Sequence, residues 1–411
     1  MSIPFMRIVL RRFATTSAVL AALAVLSGGC GDDEASPDAR EGDPAGTGAG
    51  GGGGDAGVYD WGLPPGFPVP RVPEDNPMSE VKVELGRRLF YDRRLSGNGT
   101  YSCGSCHRQE LAFTDALDVA EGSTGELHTR GSMSLANVAY LTTLTWGNPL
   151  IDSLEEQALG PMFGETPVEL GLAGLEEEML DRLRAEPLYQ DLFPAAFPGD
   201  ADPIRLANIT KAIAAFERSL LSYRSPYDRY SYGGDPSAMS AAALRGKDLF
   251  FSERLECFHC HGGFNLSDSV AHEGTTFEEV MFHNTGLYNI DGNGAYPPGN
   301  AGVYEVSGQA TDMGRFRSPT LRNIALTAPY MHDGSIETLE GVLDHYAAGG
   351  RTIESGPYAG VGSENRYKSE LIRGFELTAE EKADMIAFLE SLTDEEFLTD
   401  PRFADPWVEA P

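Results

Sequence analysis

Cys103-Gly104-Ser105-Cys106-His107 and Cys257-Phe258-His259-Cys260-His261 are two copies of one pattern, a C-x-x-C pair followed at once by histidine. That pattern is the attachment signature of c-type haem: both thiols form thioethers to the porphyrin and the histidine binds iron. The chain has five cysteines, and these pairs take four. A disulfide framework does not suit a chain of 411 residues. A zinc site built from four cysteines would leave both adjacent histidines without a role. The sequence therefore predicts two covalent haems on Cys103, Cys106, Cys257 and Cys260, with His107 and His261 as proximal iron ligands.

The approach to each motif repeats. Leu85-Gly86-Arg87-Arg88-Leu89-Phe90-Tyr91 leads into the first and Arg245-Gly246-Lys247-Asp248-Leu249-Phe250-Phe251 into the second. Each follows a Met-Ser pair, Met78-Ser79 or Met239-Ser240, and carries apolar residues at helical spacing. Ile204, Leu206, Ile209, Ile213, Phe216 and Leu220 mark a further amphipathic helix. Thr378-Ala379-Glu380-Glu381 is a capping box ahead of Met385, Ile386, Phe388 and Leu389. Long Gly/Pro/Asn loops such as 289–302 separate these elements, and no run of alternating strands occurs. The predicted class is mainly α, two c-type cytochrome-like domains with one haem each, over residues 59–235 and 236–411.

Residues 1–29 read as an export signal of the lipoprotein type. Arg7, Arg11 and Arg12 precede an apolar run, Ala18 to Leu26, too short for a spanning helix. Cys30 follows Ser27-Gly28-Gly29 and is the expected lipidation site, although the aliphatic residue usual at Ser27's place stands at Leu26. Residues 30–58, with the run Gly50 to Gly54, lack the apolar side chains to offset chain entropy and read as a flexible linker. The expected location is the periplasm or cell envelope, with membrane contact only through the lipid. The 31 Lys and Arg against 62 Asp and Glu give a net charge of −31. Such a chain repels phosphate backbones, which excludes nucleic acid partners.

Arg317-Ser318-Pro319-Thr320-Leu321-Arg322-Asn323-Ile324, continuing through Ala328-Pro329-Tyr330-Met331-His332-Asp333-Gly334, resembles the signature of bacterial di-haem cytochrome c peroxidases and their relatives. With both haem motifs and their lead-ins, the resemblance spans residues 75–395. In that superfamily the sixth ligand of the C-terminal haem is Met in the peroxidases and Tyr in the methylamine dehydrogenase maturation enzyme, MauG. The matching residue here is Tyr346, with Met331 as a rival. The likeness makes Trp146 the tryptophan between the haems and Glu169 the distal glutamate that handles protons, with Glu165 as the alternative. No histidine aligns with the removable distal ligand of the peroxidases, and His128 is read as a loop residue. Family members hold Ca²⁺ between the haems. Its carbonyl positions match Thr327 and Pro329, but the Asn position is Gly131.

Tyr59-Asp60-Trp61-Gly62-Leu63-Pro64-Pro65-Gly66-Phe67-Pro68, residues Gly125 to Ser134, and Pro161-Met162-Phe163-Gly164-Glu165 resemble more narrowly the di-haem enzymes of methanobactin-type copper systems, the MbnH family. That likeness implies an enzyme that takes two oxidising equivalents from hydrogen peroxide, stores them across two haems, and oxidises a tryptophan to kynurenine. The substrate would be a copper-binding periplasmic protein of the MbnP kind. The alternative is a peroxidase that reduces hydrogen peroxide with electrons from a small redox protein.

Overall fold

Ser79 and Ser240 start the two equivalent helices. Ser79 Oγ accepts the Lys82 N–H at 3.3 Å and opens Glu80–Phe90. Ser240 Oγ accepts the Ala243 N–H at 3.1 Å and opens Ala241–Phe250. The computed structural model describes residues 59–407. The signal peptide, Cys30 and the 30–58 linker lie outside the described residues.

Each of these helices crosses a second one. Glu80–Phe90 packs on Leu206–Ser219, and Ala241–Phe250 packs on Ala379–Glu390, whose N-cap Thr378 forms the expected capping box with Glu381. The repeated glycine has a physical cause at both crossings. A Cβ on Gly86 would stand 1.9 Å from the Ala212 carbonyl oxygen, and one on Gly246 1.9 Å from the Asp384 oxygen. Backbone is touching backbone, so neither site can take a methyl group unless the helices part. Gly86→Ala is therefore expected to cost about 1–3 kcal/mol, by the usual penalty for overpacking. Chemical denaturation would measure it, and an unchanged midpoint would mean that the crossing relaxes freely.

The first crossing carries a core of Leu85, Leu89, Phe90, Ile209, Ile213 and Phe216. The second carries Phe250, Leu339, Leu343, Met385, Phe388 and Leu389. Elsewhere the chain is short helices and long loops, 289–302 among them. The regular strands among the described residues form one antiparallel pair, Thr352–Ile353 with Gly360–Val361, in the register Thr352↔Val361. The protein is thus mainly helical. No helix among the described residues is long and apolar enough to cross a membrane.

The end of the chain returns to the first core. Phe397 and Phe403 are buried in it. Gln109 Nε2 donates to the Phe397 and Asp400 carbonyls at 3.1 and 2.9 Å, and Tyr91 Oη donates to the Phe403 carbonyl at 2.8 Å. Residues 394–407, beyond the 235/236 boundary expected from sequence, are packed with the first half.

Candidate functional site

Both C-x-x-C-H segments are single tight turns. Cys103–Cys106 is one helical turn, and Cys257–His259 a 3-10 turn. All four cysteines are unpaired and half-buried. Each following histidine is aimed by a backbone carbonyl. His107 Nδ1 donates to Phe113 O at 2.8 Å, and His261 Nδ1 to Leu266 O at 3.2 Å. Those bonds leave Nε2 free to bind a metal. Phe113 and Leu266 both sit at left-handed φ, 63° and 50°. Bulky residues hold that conformation at a cost of about 1–2 kcal/mol. The same strained turn appears in both halves, where it presents the carbonyl to the ring. Burial lowers the pKa of both histidines and favours the neutral imidazole that a metal requires.

A cavity of about 410 Å³ opens beside the second motif. Cys257, Cys260 and His261 line it, with Leu321, Leu343 and Leu389 as apolar wall. Arg317, from the stretch that carries the family likeness, also lines it. Its side chain is buried, with Nη1 unpartnered and Nη2 only 3.0 Å from the Met133 sulfur. Burial lowers its pKa to about 10, so it stays charged near neutrality. Its Nε donates to Thr145 O at 3.4 Å, but among the described residues it has no ion-pair partner, and a buried cation without a counter-charge is costly. Haem propionate carboxylates would satisfy it, and the apolar wall suits a porphyrin face. The residues present fit a c-type haem.

Tyr346 lies on the helix Leu339–Ala347, where Leu339, Leu343 and Tyr346 share one face and all reach the cavity. Three buried tyrosines give their hydroxyl to a partner: Tyr140 to Pro68 O, Tyr189 to Asp92, Tyr288 to Asp333. Among the described residues the Tyr346 hydroxyl has no hydrogen-bond partner. Burial pushes its phenol pKa up. Met331 reaches the same cavity, but it also packs against the group of Leu287, Tyr296 and Phe316, which Trp146 joins.

Trp146 sits where loops of the two halves meet. Its indole Nε1 donates to Gly131 O at 2.9 Å, and Gly131 N donates to His332 O at 3.0 Å. The His332 ring meets the indole edge-on at 6.5 Å and stacks on Phe316 at 3.6 Å. His332 Nε2 is buried without a partner, and burial lowers the ring's pKa to about 4, so it is neutral.

Glu169 and Glu165 separate clearly. Glu165 is exposed, whereas Glu169 is half-buried and burial raises its pKa. The Glu169 carbonyl accepts the Ser123 N–H at 2.7 Å, and Cys106 Sγ lies 3.8 Å from the Glu121 carbonyl two residues earlier, so the Glu169 backbone runs near the first motif. His128 Nδ1 accepts the Arg130 N–H at 3.0 Å within its own loop. The Thr327 and Pro329 carbonyls accept no backbone hydrogen bond among the described residues, but Gly131 has no side-chain oxygen and its carbonyl is taken by Trp146. Calcium needs six to eight oxygens, so water would have to complete that site.

Sequence reasoning missed three groups. Arg317 stood in a quoted stretch but went unread as a carboxylate partner. His283 Nε2 lies 2.5 Å from Asp268 Oδ2 on the cavity wall. Burial opposes its charge, but Asp268 and the Cys260 sulfur together override this and raise its pKa to about 10. Cys260, Asp268 and His283 have metal-ligand spacing, although Cys260 already serves the haem motif. Glu217, on the helix Leu206–Ser219, is buried with Oε2 unpartnered, and burial raises its pKa to about 8. The folded state therefore binds a proton between the ordinary carboxyl pKa and about 8 that the unfolded chain has released. Stability must fall as pH rises through that window. Glu217→Gln is expected to flatten this slope in denaturation measured from acid to mildly alkaline pH. An unchanged slope would show that Glu217 ionises freely.

A family model described as di-haem cytochrome c peroxidase matches residues 80–236. A cytochrome-c peroxidase of Pseudomonas sp. (strain SCT) is 36% identical over 79% of this chain and 84% of its own length. The methylamine utilization protein MauG of Methylorubrum extorquens is 34% identical over 79% of this chain and 81% of its own length. A crystal structure of a MauG-like protein associated with microbial copper homeostasis is 53% identical, with a TM-score of 0.83, over 85% of this chain and all of that one.

Proposed function

The chain belongs to the di-haem cytochrome c peroxidase and MauG family, whose members are haem-dependent oxidoreductases acting on peroxide, and from that premise we propose that it is a MauG-type oxidase of a partner protein. The partner would be a copper-binding protein, and the residue oxidised a tryptophan that becomes kynurenine. The observation that carries this reading is Tyr346, its hydroxyl unpaired among the described residues and in the same cavity as His261. The copper-homeostasis association of the MauG-like protein that is 53% identical supports the choice of partner.

Two c-type haems would supply iron that reacts with hydrogen peroxide and draws electrons through the protein. The residues divide the remaining work. His107, aimed by Phe113, holds one iron, and His261, aimed by Leu266, holds the other. Glu169 takes a proton from peroxide and returns it to the departing oxygen. Trp146 carries electrons between the halves. Tyr346 would bind the iron as phenolate, a hard anionic donor that favours oxidised over reduced metal. Arg317 would neutralise carboxylate charge on the haem of this cavity. Export to the periplasm, with a lipid on Cys30, is part of the same proposal.

Electron paramagnetic resonance of the fully ferric protein tests it. High-spin and low-spin signals should both vanish on addition of one equivalent of hydrogen peroxide, without prior reduction. A second reading is favoured by the relatives named cytochrome-c peroxidases. It makes the chain a peroxidase fed by a small redox protein, and it predicts that the signals persist until one haem is reduced.

A further inference from the structure

The chain has three tryptophans, Trp61, Trp146 and Trp407. Trp146 is inside, at the junction of the two halves. Trp407 lies at the surface, 37% exposed, at the end of the returning tail. Its indole Nε1 donates to Arg88 O at 2.9 Å, and its ring meets the Tyr189 ring edge-on at 6.3 Å. Tyr189 is fully buried and donates its hydroxyl to Asp92 Oδ2 at 2.6 Å. Asp92 follows Tyr91, whose ring packs directly on the first haem motif: a Cβ on Gly104 would stand 2.3 Å from Tyr91 Cδ1. Phe90, 5.0 Å from Tyr91, lies 6.4 Å from the His107 ring. Two aromatic pairs, Phe90–Tyr91 at the His107 end and Tyr189–Trp407 at the surface, are thus joined through Asp92, which follows Tyr91 in the chain and accepts the Tyr189 hydroxyl.

We propose that Tyr189 and Trp407 are relay residues that carry oxidising equivalents from the first haem site to the protein surface, where a partner's side chain supplies the electrons. The proposal rests on the reading above, in which the substrate is a protein and never reaches iron.

Local chemistry suits the task. A phenol loses an electron readily only if its proton has somewhere to go, and the Asp92 carboxylate is in place to accept it. One electron leaves Tyr189 toward the His107 end while its proton passes to Asp92. An electron from Trp407 and the returning proton then restore Tyr189. Trp407 is left as the indole radical cation, which the partner refills. Two such passes supply the two electrons that, with two protons from solvent, convert hydrogen peroxide to two waters.

The charges around Trp407 tolerate that cation. Arg88 and Arg94 lie 5.7 and 5.2 Å from its ring. Both are ion-paired, Arg88 to Glu84 at 2.7 Å and Arg94 to Asp92 and Glu186 at 3.1 and 2.8 Å. Arg87 also pairs with Glu84, at 2.8 Å, so three cations meet three carboxylates and the arginines beside the ring are neutralised. Clamping the tail by cation–π packing alone would need none of the phenol–carboxylate pair beneath it.

The test uses the holoprotein with both haems, treated with a small excess of hydrogen peroxide and no reductant or partner. Peptide mass spectrometry should find mono- and dioxygenated tryptophan several-fold more at Trp407 than at Trp61, whose described ring contact is Tyr59. Tyr189→Phe should cut the Trp407 modification several-fold with the haem spectra unchanged. In Trp407→Phe, which keeps an aromatic ring against the arginines, the peroxide-oxidised state should decay several-fold more slowly. Equal modification of Trp407 and Trp61, modification independent of Tyr189, or an unchanged decay would overturn the relay while leaving the oxidase reading intact. If ferric haem signals do not respond to peroxide at all, both fall.

Discussion

Exchanging Glu169 for glutamine is expected to slow the reaction with hydrogen peroxide by about 10²–10⁴-fold, the usual contribution of a positioned proton-transfer group. Glutamine keeps the size and loses the proton exchange, so haem content and spectra should not change. Burial raises the Glu169 pKa, so the sign of the pH effect is fixed. The protonated, inactive form persists to higher pH than for an exposed glutamate. The wild-type rate should therefore fall on acidification earlier than an ordinary carboxyl would dictate, and the variant should lose that limb. Stopped-flow mixing of ferric protein with peroxide across pH reads both effects. Glu165 is exposed, so Glu165→Gln should react at the wild-type rate. Damage from Glu165→Gln and none from Glu169→Gln would reverse the assignment.

Tyr346→Phe should abolish the low-spin ferric signal of the second haem, whereas Met331→Leu should leave it in place. Burial, helped by the nearby Cys260 and Cys257, pushes the Tyr346 phenol pKa up, so these surroundings do not ionise it. Only a ferric ion could extract that proton, because a metal ligand of this kind must be deprotonated. Phenylalanine preserves the ring on the cavity face of the Leu339–Ala347 helix and removes the donor oxygen. Electron paramagnetic resonance and visible spectra would show the change. A wild-type spectrum in Tyr346→Phe, with a changed one in Met331→Leu, would hand the ligand role to methionine and favour the peroxidase reading.

The parts legible in the sequence are those whose cause lies within a few residues. Ser79, Ser240 and Thr378 announced their helices because an N-cap acts on the N–H group three residues on. Gly86 and Gly246 repeated visibly, although their reason, a carbonyl 1.9 Å from any added Cβ, belongs to helices far along the chain. The choice between Glu165 and Glu169 was open in the sequence, since four residues of loop allow either to turn inward. The Arg317 role was hidden because an arginine reads as a surface residue until its burial is seen.

The sequence by itself determined where the haem motifs stand, which histidines follow them, and four of the helices, because thioether attachment, helix capping and apolar periodicity are local codes. Tertiary structure alone decided which side chains meet. It brought Gly131, Trp146, Phe316 and His332 to one junction and left the Tyr346 hydroxyl without a protein partner in its cavity. It folded residues 394–407 back onto the first core and set Trp407 beside Tyr189. Those contacts join residues up to hundreds of positions apart. Their free energy comes from burial and shape, which no spacing along the chain records.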